Sequence, residues 1–62
     1  MMYYRVTTKF YDDGKVDVLV DTVYKKEQPK NFSCEFQEYD LYCDFFDSWS
    51  DAAKFAEQAK NA

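Results

Sequence analysis

The side chains with the clearest capacity for chemistry are six carboxylates between residues 35 and 51, a stretch that contains no basic residue. They are Glu35, Glu38, Asp40, Asp44, Asp47 and Asp51. Carboxylates grouped in this way can transfer protons, bind a cation or attract a basic surface. Their spacing and their companions decide between these roles.

Catalysis is the least favoured of the three. The chain has no histidine, which removes the commonest general base and the usual nucleophilic triads. On an extended strand Asp40 and Asp44 would lie about 13 Å apart, farther than the paired carboxylates of glycosidases. There is no G-x-S-x-G, phosphate-binding or dinucleotide-binding motif. We therefore expect that the protein is not an enzyme.

Metal binding has one candidate set of residues. Asp44, Asp47 and Asp51 could gather near a strand–helix corner and hold a divalent cation through oxygen ligands, although they do not match an EF-hand loop. No histidine or C-x-x-C pair is present to complete a zinc site. We expect no metal and no cofactor.

Charge is distributed unevenly along the chain. Residues 1–30 carry six basic and five acidic side chains, whereas residues 31–62 carry two basic and seven acidic ones, and the whole chain has a net charge of −4. Phosphate binding needs Lys and Arg, so direct binding of nucleic acid is not expected. The acidic stretch is either a solvated edge that aids solubility or a docking surface for a basic partner.

The cellular compartment is inferred from features that the sequence lacks. It has no run of about 18 apolar residues and no basic, then apolar, leader at the N-terminus, so we expect neither a membrane segment nor a signal peptide. Cys34 and Cys43, if they share one strand, lie about 30 Å apart and remain reduced, buried hydrophobes. A cytoplasmic location is expected.

The elements that must position these residues begin with a hairpin. Residues 3–11 and 16–24 alternate between apolar and polar side chains, as strands do. A three-residue loop, with Gly14 in the left-handed position, places apolar side chains of one strand opposite apolar side chains of the other. A two-residue turn would instead place Phe10 opposite Asp17. The resulting cross-strand pairs are Phe10–Val16, Thr8–Val18, Val6–Val20, Lys9–Asp17 and Arg5–Asp21.

The alternation of apolar and polar side chains changes phase part of the way along residues 32–46. We interpret these residues as one strand, with a β-bulge near Gln37 and Glu38 that restores the alternation. The bulge would direct one set of side chains toward the core, namely Tyr39, Leu41, Cys43 and Phe45. It would direct the other set away, namely Glu38, Asp40, Tyr42 and Asp44.

A helix follows, with Ser48 as its N-cap. Its apolar stripe consists of Ala52, Phe55, Ala56 and Ala59. The length predicts a single domain over residues 1–62. The predicted fold is α+β: a three-stranded antiparallel β-meander with one C-terminal helix packed on one face, in the order β-β-β-α.

Two segments of the chain, Tyr3–Gly14 and Asp44–Ser48, resemble small uncharacterised accessory proteins of phages and mobile elements of Gram-positive bacteria. The resemblance implies a context, because such accessory proteins often act by binding host or competitor proteins. It carries over no functional residue.

Two functional hypotheses follow. The first is a small acidic protein-binding module, for example an inhibitor whose acidic surface occupies the basic, nucleic-acid-binding groove of a partner protein. Its expected contact residues are Glu38, Asp40, Tyr42, Asp44 and Asp47. The alternative is a structural homo-oligomer that associates through an edge strand or through the uncovered sheet face, which is expected to expose Tyr3, Leu19, Val23 and Tyr42.

Overall fold

The computed structural model describes residues 1–61, which form one antiparallel sheet and one helix. The elements are β1 (Met2–Tyr11), β2 (Val16–Tyr24), β3 (Phe32–Glu35), β4 (Tyr39–Phe46) and α1 (Trp49–Lys60). The sheet order is β2-β1-β4-β3, so that β1 and β4 are internal and β2 and β3 are the edges. The α+β class, the antiparallel sheet and the C-terminal helix are therefore confirmed.

The register predicted for the first hairpin is correct at every pair, from Phe10 opposite Val16 to Arg5 opposite Asp21. The loop has three residues: the amide of Gly14 donates to the carbonyl of Tyr11 at 3.0 Å, and Gly14 has a φ of 91°. A slip of one residue would move every side chain of β2 to the other face.

Gly14 gives a first prediction. A Cβ at this position would meet no atom within 4 Å, so the cost of Gly14→Ala is the backbone penalty alone, about 1–2 kcal/mol of unfolding free energy. Chemical denaturation measures it. Gly14→Asn is the matched control and should lose less, because asparagine tolerates positive φ. Equal losses for the two variants would contradict the assigned backbone cause.

The predicted meander is wrong, because residues 32–46 form two strands and not one bulged strand. Residues 36–38 make a tight turn, closed by a 2.9 Å hydrogen bond from the amide of Phe36 to the carbonyl of Tyr39. A turn and a bulge both change the phase of the alternation, and here the turn creates a second hairpin. β4 then pairs with β1 on its other side, from Tyr4 opposite Phe46 to Tyr11 opposite Tyr39.

The connection between β2 and β3 links the two edges of the sheet. Two of its side chains bond the backbone of Phe45: the Gln28 amide donates to the carbonyl at 3.0 Å, and Asn31 Oδ1 accepts from the amide at 2.8 Å. β3 is too short to pair with this part of β4. The connection therefore satisfies backbone groups that would otherwise lack a partner.

The helix begins where the sequence predicts. Ser48 is the N-cap, and its Oγ accepts from the amide of Asp51 at 3.4 Å. Ala52 and Ala56 are buried against Val6, which is fully buried at the centre of the core. α1 lies mainly over β1 and β2 and reaches β4 less. Within residues 1–61, no helix has the length and hydropathy that crossing a bilayer requires.

The faces of β4 are the reverse of the prediction. Asp44 pairs with Val6 and Tyr42 pairs with Thr8, so both lie on the helix-side face of the sheet. The side chains predicted to face the core, Tyr39, Leu41, Cys43 and Phe45, lie on the open face instead, where Cys43 and Phe45 are nevertheless buried. The physical reason is that both faces of this sheet bury apolar groups, so hydrophobicity alone could not assign them.

The two predicted ion pairs differ in outcome. Arg5 binds Asp21 through two hydrogen bonds, one of them 2.9 Å from Nε to Oδ1. Lys9 lies opposite Asp17 in the register, but its Nζ sits 5.2 Å from the ring centroid of Tyr39. The cation therefore lies over an aromatic ring, an arrangement that is favourable at exposed sites.

Candidate functional site

The strongest candidate site lies on the helix-side face of the β3–β4 hairpin, which α1 leaves largely uncovered. We call it the acidic strip, and it consists of Glu35, Asp40, Tyr42 and Asp44. The strand register places these side chains on one face, since Glu35 pairs with Asp40 and Asp44 pairs with Val6. None of the ion pairs found within residues 1–61 includes a carboxylate of the strip.

Glu35 and Asp40 are a like-charged pair directly across two strands. Such a pair destabilises a sheet, where a pair of opposite charges would contribute roughly 0.2–1 kcal/mol. Both residues are exposed, so the repulsion is softened by solvent but not removed. A cation from a partner would relieve this repulsion.

A groove of about 330 Å³ adjoins the strip, between β4 and the second half of α1. It is lined by Thr8, Phe10, Tyr42, Asp44, Phe55, Gln58 and Ala59. The ring of Phe10 meets Tyr42 edge to face, with 5.6 Å between centroids. Tyr42 and Asp44 thus belong to both the strip and the groove.

Two polar groups of the groove have neither a hydrogen-bond partner nor a counter-ion from their side chains within residues 1–61. Thr8 is 1% exposed, and its Oγ1 has no hydrogen-bond partner within residues 1–61. Partial burial raises the pKa of the Asp44 carboxyl above its ordinary value. Burial has this effect because the charged form loses hydration without gaining a counter-ion.

The five residues predicted as partner contacts do not form one cluster. Asp40, Tyr42 and Asp44 share the strip, but Glu38 lies in the turn at one end of β4, where its carbonyl accepts from the amide of Asp12 at 3.2 Å. Asp47 follows the other end of β4, beside the start of α1. These two residues extend the acidic surface in opposite directions.

The contact residues expected from the sequence omitted Glu35 and most of the residues that line the groove. Glu35 joins the strip only because residues 36–38 form a turn, and the signal for that turn is the same phase change that a bulge produces. Thr8 and Phe55 come to the groove from β1 and α1, and no local pattern indicates that these elements meet beside β4.

The separation predicted for the two cysteines is wrong, and so is the predicted burial of Cys34, whereas Cys43 is buried as predicted. Cys34 pairs with Leu41 on β4, and Cys43 pairs with Phe32 on β3, so the two thiols lie on the same face of neighbouring strands. Diagonal neighbours of this kind are about 7–8 Å apart, not 30 Å. Both thiols are free in the structure.

Their unequal burial gives a second prediction. Cys34 is exposed and Cys43 is buried, so a thiol reagent should modify one cysteine quickly in the native protein and both after denaturation. Cys34→Ser should remove the fast phase and Cys43→Ser should leave it in place. Two fast phases in the native protein would contradict the burial of Cys43.

The carboxylates do not form a metal centre. Within the described part of the chain, no group of three or more His, Cys, Asp or Glu side chains is placed to hold an ion. Asp44, Asp47 and Asp51 therefore do not gather at the strand–helix corner as their spacing had suggested. What the acidic surface offers is negative charge beside aromatic rings.

Comparison of the chain with protein-family models, with curated proteins and with solved structures found no significant match. The resemblance to accessory proteins of phages and mobile elements stays a prediction.

Proposed function

We propose that this protein is a small protein-binding module whose acidic strip docks on a basic surface of a partner protein. The observation that carries the proposal is the Glu35–Asp40 pair. Two carboxylates held opposite each other oppose folding, and a partner's lysines or arginines would convert that cost into a favourable contact.

The layout of the surrounding surface supports the same proposal. The strip lies on a part of the sheet that α1 leaves largely uncovered, and Tyr42, which is 41% exposed, lies between its carboxylates. Tyrosine is enriched at interfaces because it combines an apolar ring with a polar end. Glu38 and Asp47 extend the charge beyond both ends of β4.

A basic surface that carries lysines and arginines in a row is typical of nucleic-acid-binding proteins. A module that occupied such a groove would act as an inhibitor, which agrees with the predicted resemblance to accessory proteins that bind host or competitor proteins. The proposal includes a cytoplasmic location, where free thiols remain reduced, and no catalytic role.

The test compares two variants of equal net charge. Asp40→Lys with Asp44→Lys reverses the strip, and Glu27→Lys with Glu57→Lys reverses two exposed acids elsewhere. Immobilised on a support, wild type and the control pair should capture the same basic protein from the native host at low salt. The strip variant should not capture it.

Two further results decide the outcome. Captured protein should elute as salt is raised, and wild type should compete with nucleic acid for it in a gel-shift assay. The proposal fails if nothing is captured at low salt, or if the strip variant captures the same protein as wild type.

A second candidate function, a homo-oligomer, is favoured by the open face of the sheet. The structure places Tyr42 on the other face and buries Tyr3, but it adds the exposed Phe32 and the partly exposed Leu41 to the exposed Leu19. No helix covers this side within residues 1–61. Apolar side chains that remain exposed on a sheet face often mark an interface.

Light scattering distinguishes the two functions. If the open face is the interface, wild type should dimerise at high micromolar concentration and Leu19→Lys should remain monomeric. Leu19 is 63% exposed, so this substitution does not disturb the core. A wild-type monomer at that concentration would contradict the oligomer and leave the binding module in place.

A further inference from the structure

We propose that the groove between β4 and α1 is the pocket for one arginine side chain of the partner protein. This inference deepens the proposed function and rests on it, because the groove opens beside the acidic strip and shares Tyr42 and Asp44 with it. It assigns a specific anchor to a contact otherwise defined only by charge.

The size and the lining of the groove suit a long side chain with a cationic end. Its volume of about 330 Å³ is at the lower end for binding pockets, so it takes one side chain and not a large ligand. Phe10, Tyr42 and Phe55 supply aromatic surface for the methylene stem and for the flat guanidinium.

The polar groups of the groove favour a positively charged side chain that can donate several hydrogen bonds. Asp44 contributes a carboxylate without a counter-ion, and Thr8 contributes a buried hydroxyl without a hydrogen-bond partner within residues 1–61. A guanidinium offers five N–H donors in a planar fork, enough to bind the carboxylate through two bonds and still donate to the hydroxyl. A lysine ammonium fits less well, because it is a compact charge that does not stack on rings.

The position of the groove is consistent with insertion from a docked partner. Asp40 and Glu35 lie beside it on the same face, so a partner that bound them would place its own surface across the groove opening. Gln58 of α1 closes the opposite wall with a neutral side chain. An arginine entering here would be partly removed from water, which strengthens its contact with Asp44.

The experiment uses small probes and the whole protein. Nα-acetyl-L-arginine methylamide is titrated into ¹⁵N-labelled protein, and the amide resonances of Thr8, Asp44 and Phe55 are followed by NMR. They should shift saturably, with an affinity on the order of millimolar for one side chain. The citrulline analogue, a neutral isostere, should bind about tenfold or more weakly, because charge pairing contributes at least 1.4 kcal/mol.

Two variants locate the site. Asp44→Asn and Thr8→Val should each weaken binding of the arginine probe, whereas Glu57→Gln, the same carboxylate-to-amide change on the exposed side of α1, should not. Both groove variants are close in shape to the wild-type residues, so the fold is retained, and the unchanged remainder of the NMR spectrum verifies this. A third probe, Nα-acetyl-L-lysine methylamide, should bind less tightly than the arginine probe. Equal binding of the citrulline probe, equal or tighter binding of this lysine probe, or shifts that do not saturate would each overturn the assignment.

Failure here is distinguishable from failure of the proposed function. If the groove holds no arginine but the strip binds a partner, Asp44→Asn captures that partner from lysate as well as wild type does, and the arginine probe leaves the groove resonances unmoved. If the strip binds nothing, neither protein captures a partner.

Discussion

Replacing Val6 by alanine is expected to lower the free energy of unfolding by about 2–3 kcal/mol. Val6 is fully buried and packs against Ala52 and Ala56, two small residues that cannot move to fill the space it leaves. The loss combines about 0.8 kcal/mol for each deleted methyl group with the cost of the cavity. Urea denaturation measures it.

The loss expected for Val6→Ala is a large part of the total free energy of unfolding. A domain of this length is stabilised by only about 3–9 kcal/mol, at the usual 0.05–0.15 kcal/mol per residue. Each kcal/mol lost lowers the melting temperature by about 4–8 °C. We therefore expect Val6→Ala to melt about 10 °C or more below wild type.

Leu19→Ala is the matched control for this prediction. Leu19 lies on β2 but on the opposite face, and it is 63% exposed, so its truncation should change stability by less than about 0.5 kcal/mol. A comparable loss at both positions would mean that the open face carries as much of the core as the helix-side face does.

The first hairpin could be predicted because its signals are local and agree with one another. Gly14 fixes the turn, and only one register sets Phe10 against Val16 while it also sets Arg5 against Asp21. The helix start could be predicted for a similar reason, since the N-cap Ser48 and the alanine stripe are contained in a few successive residues.

The second hairpin could not be predicted, because its turn carries none of the usual turn residues. Phe36, Gln37 and Glu38 include no glycine, proline, asparagine or aspartate, so a phase change was the only signal. A bulge explains that signal equally well. The choice is made by the pairing of β4 with β1, which joins residues far apart in the chain.

The candidate site could be predicted only in part, for the same reason. Asp40, Tyr42 and Asp44 could be selected from the sequence as an exposed acidic set, and the structure keeps them together on one strand. Their face depends on strand order, which local patterns do not encode, and so does their proximity to Thr8 and Phe55. Charge could be predicted from sequence, but the groove beside it required the fold.

The groove supplies the last prediction, that Thr8→Val makes the free protein more stable. A buried hydroxyl without a partner costs about 1–3 kcal/mol, and Thr8 Oγ1 has none within residues 1–61. Valine replaces the hydroxyl by a methyl group of similar size and suits a strand at least as well. We expect the free energy of unfolding to rise by about 1 kcal/mol and the melting temperature by about 4–8 °C.

Thr7→Val is the control for this change, because Thr7 is the next residue of β1 and faces the other side of the sheet. Its Oγ1 lies 3.9 Å from Cys43 Sγ, a weak contact, so its loss should leave stability nearly unchanged or slightly lower. A decrease on Thr8→Val would mean that the hydroxyl is already satisfied in the free protein, for example by a bound water. The proposed pocket makes a further prediction: the variant that stabilises the free protein should also bind the arginine probe less tightly, because it has lost the hydroxyl that accepts a hydrogen bond from the guanidinium.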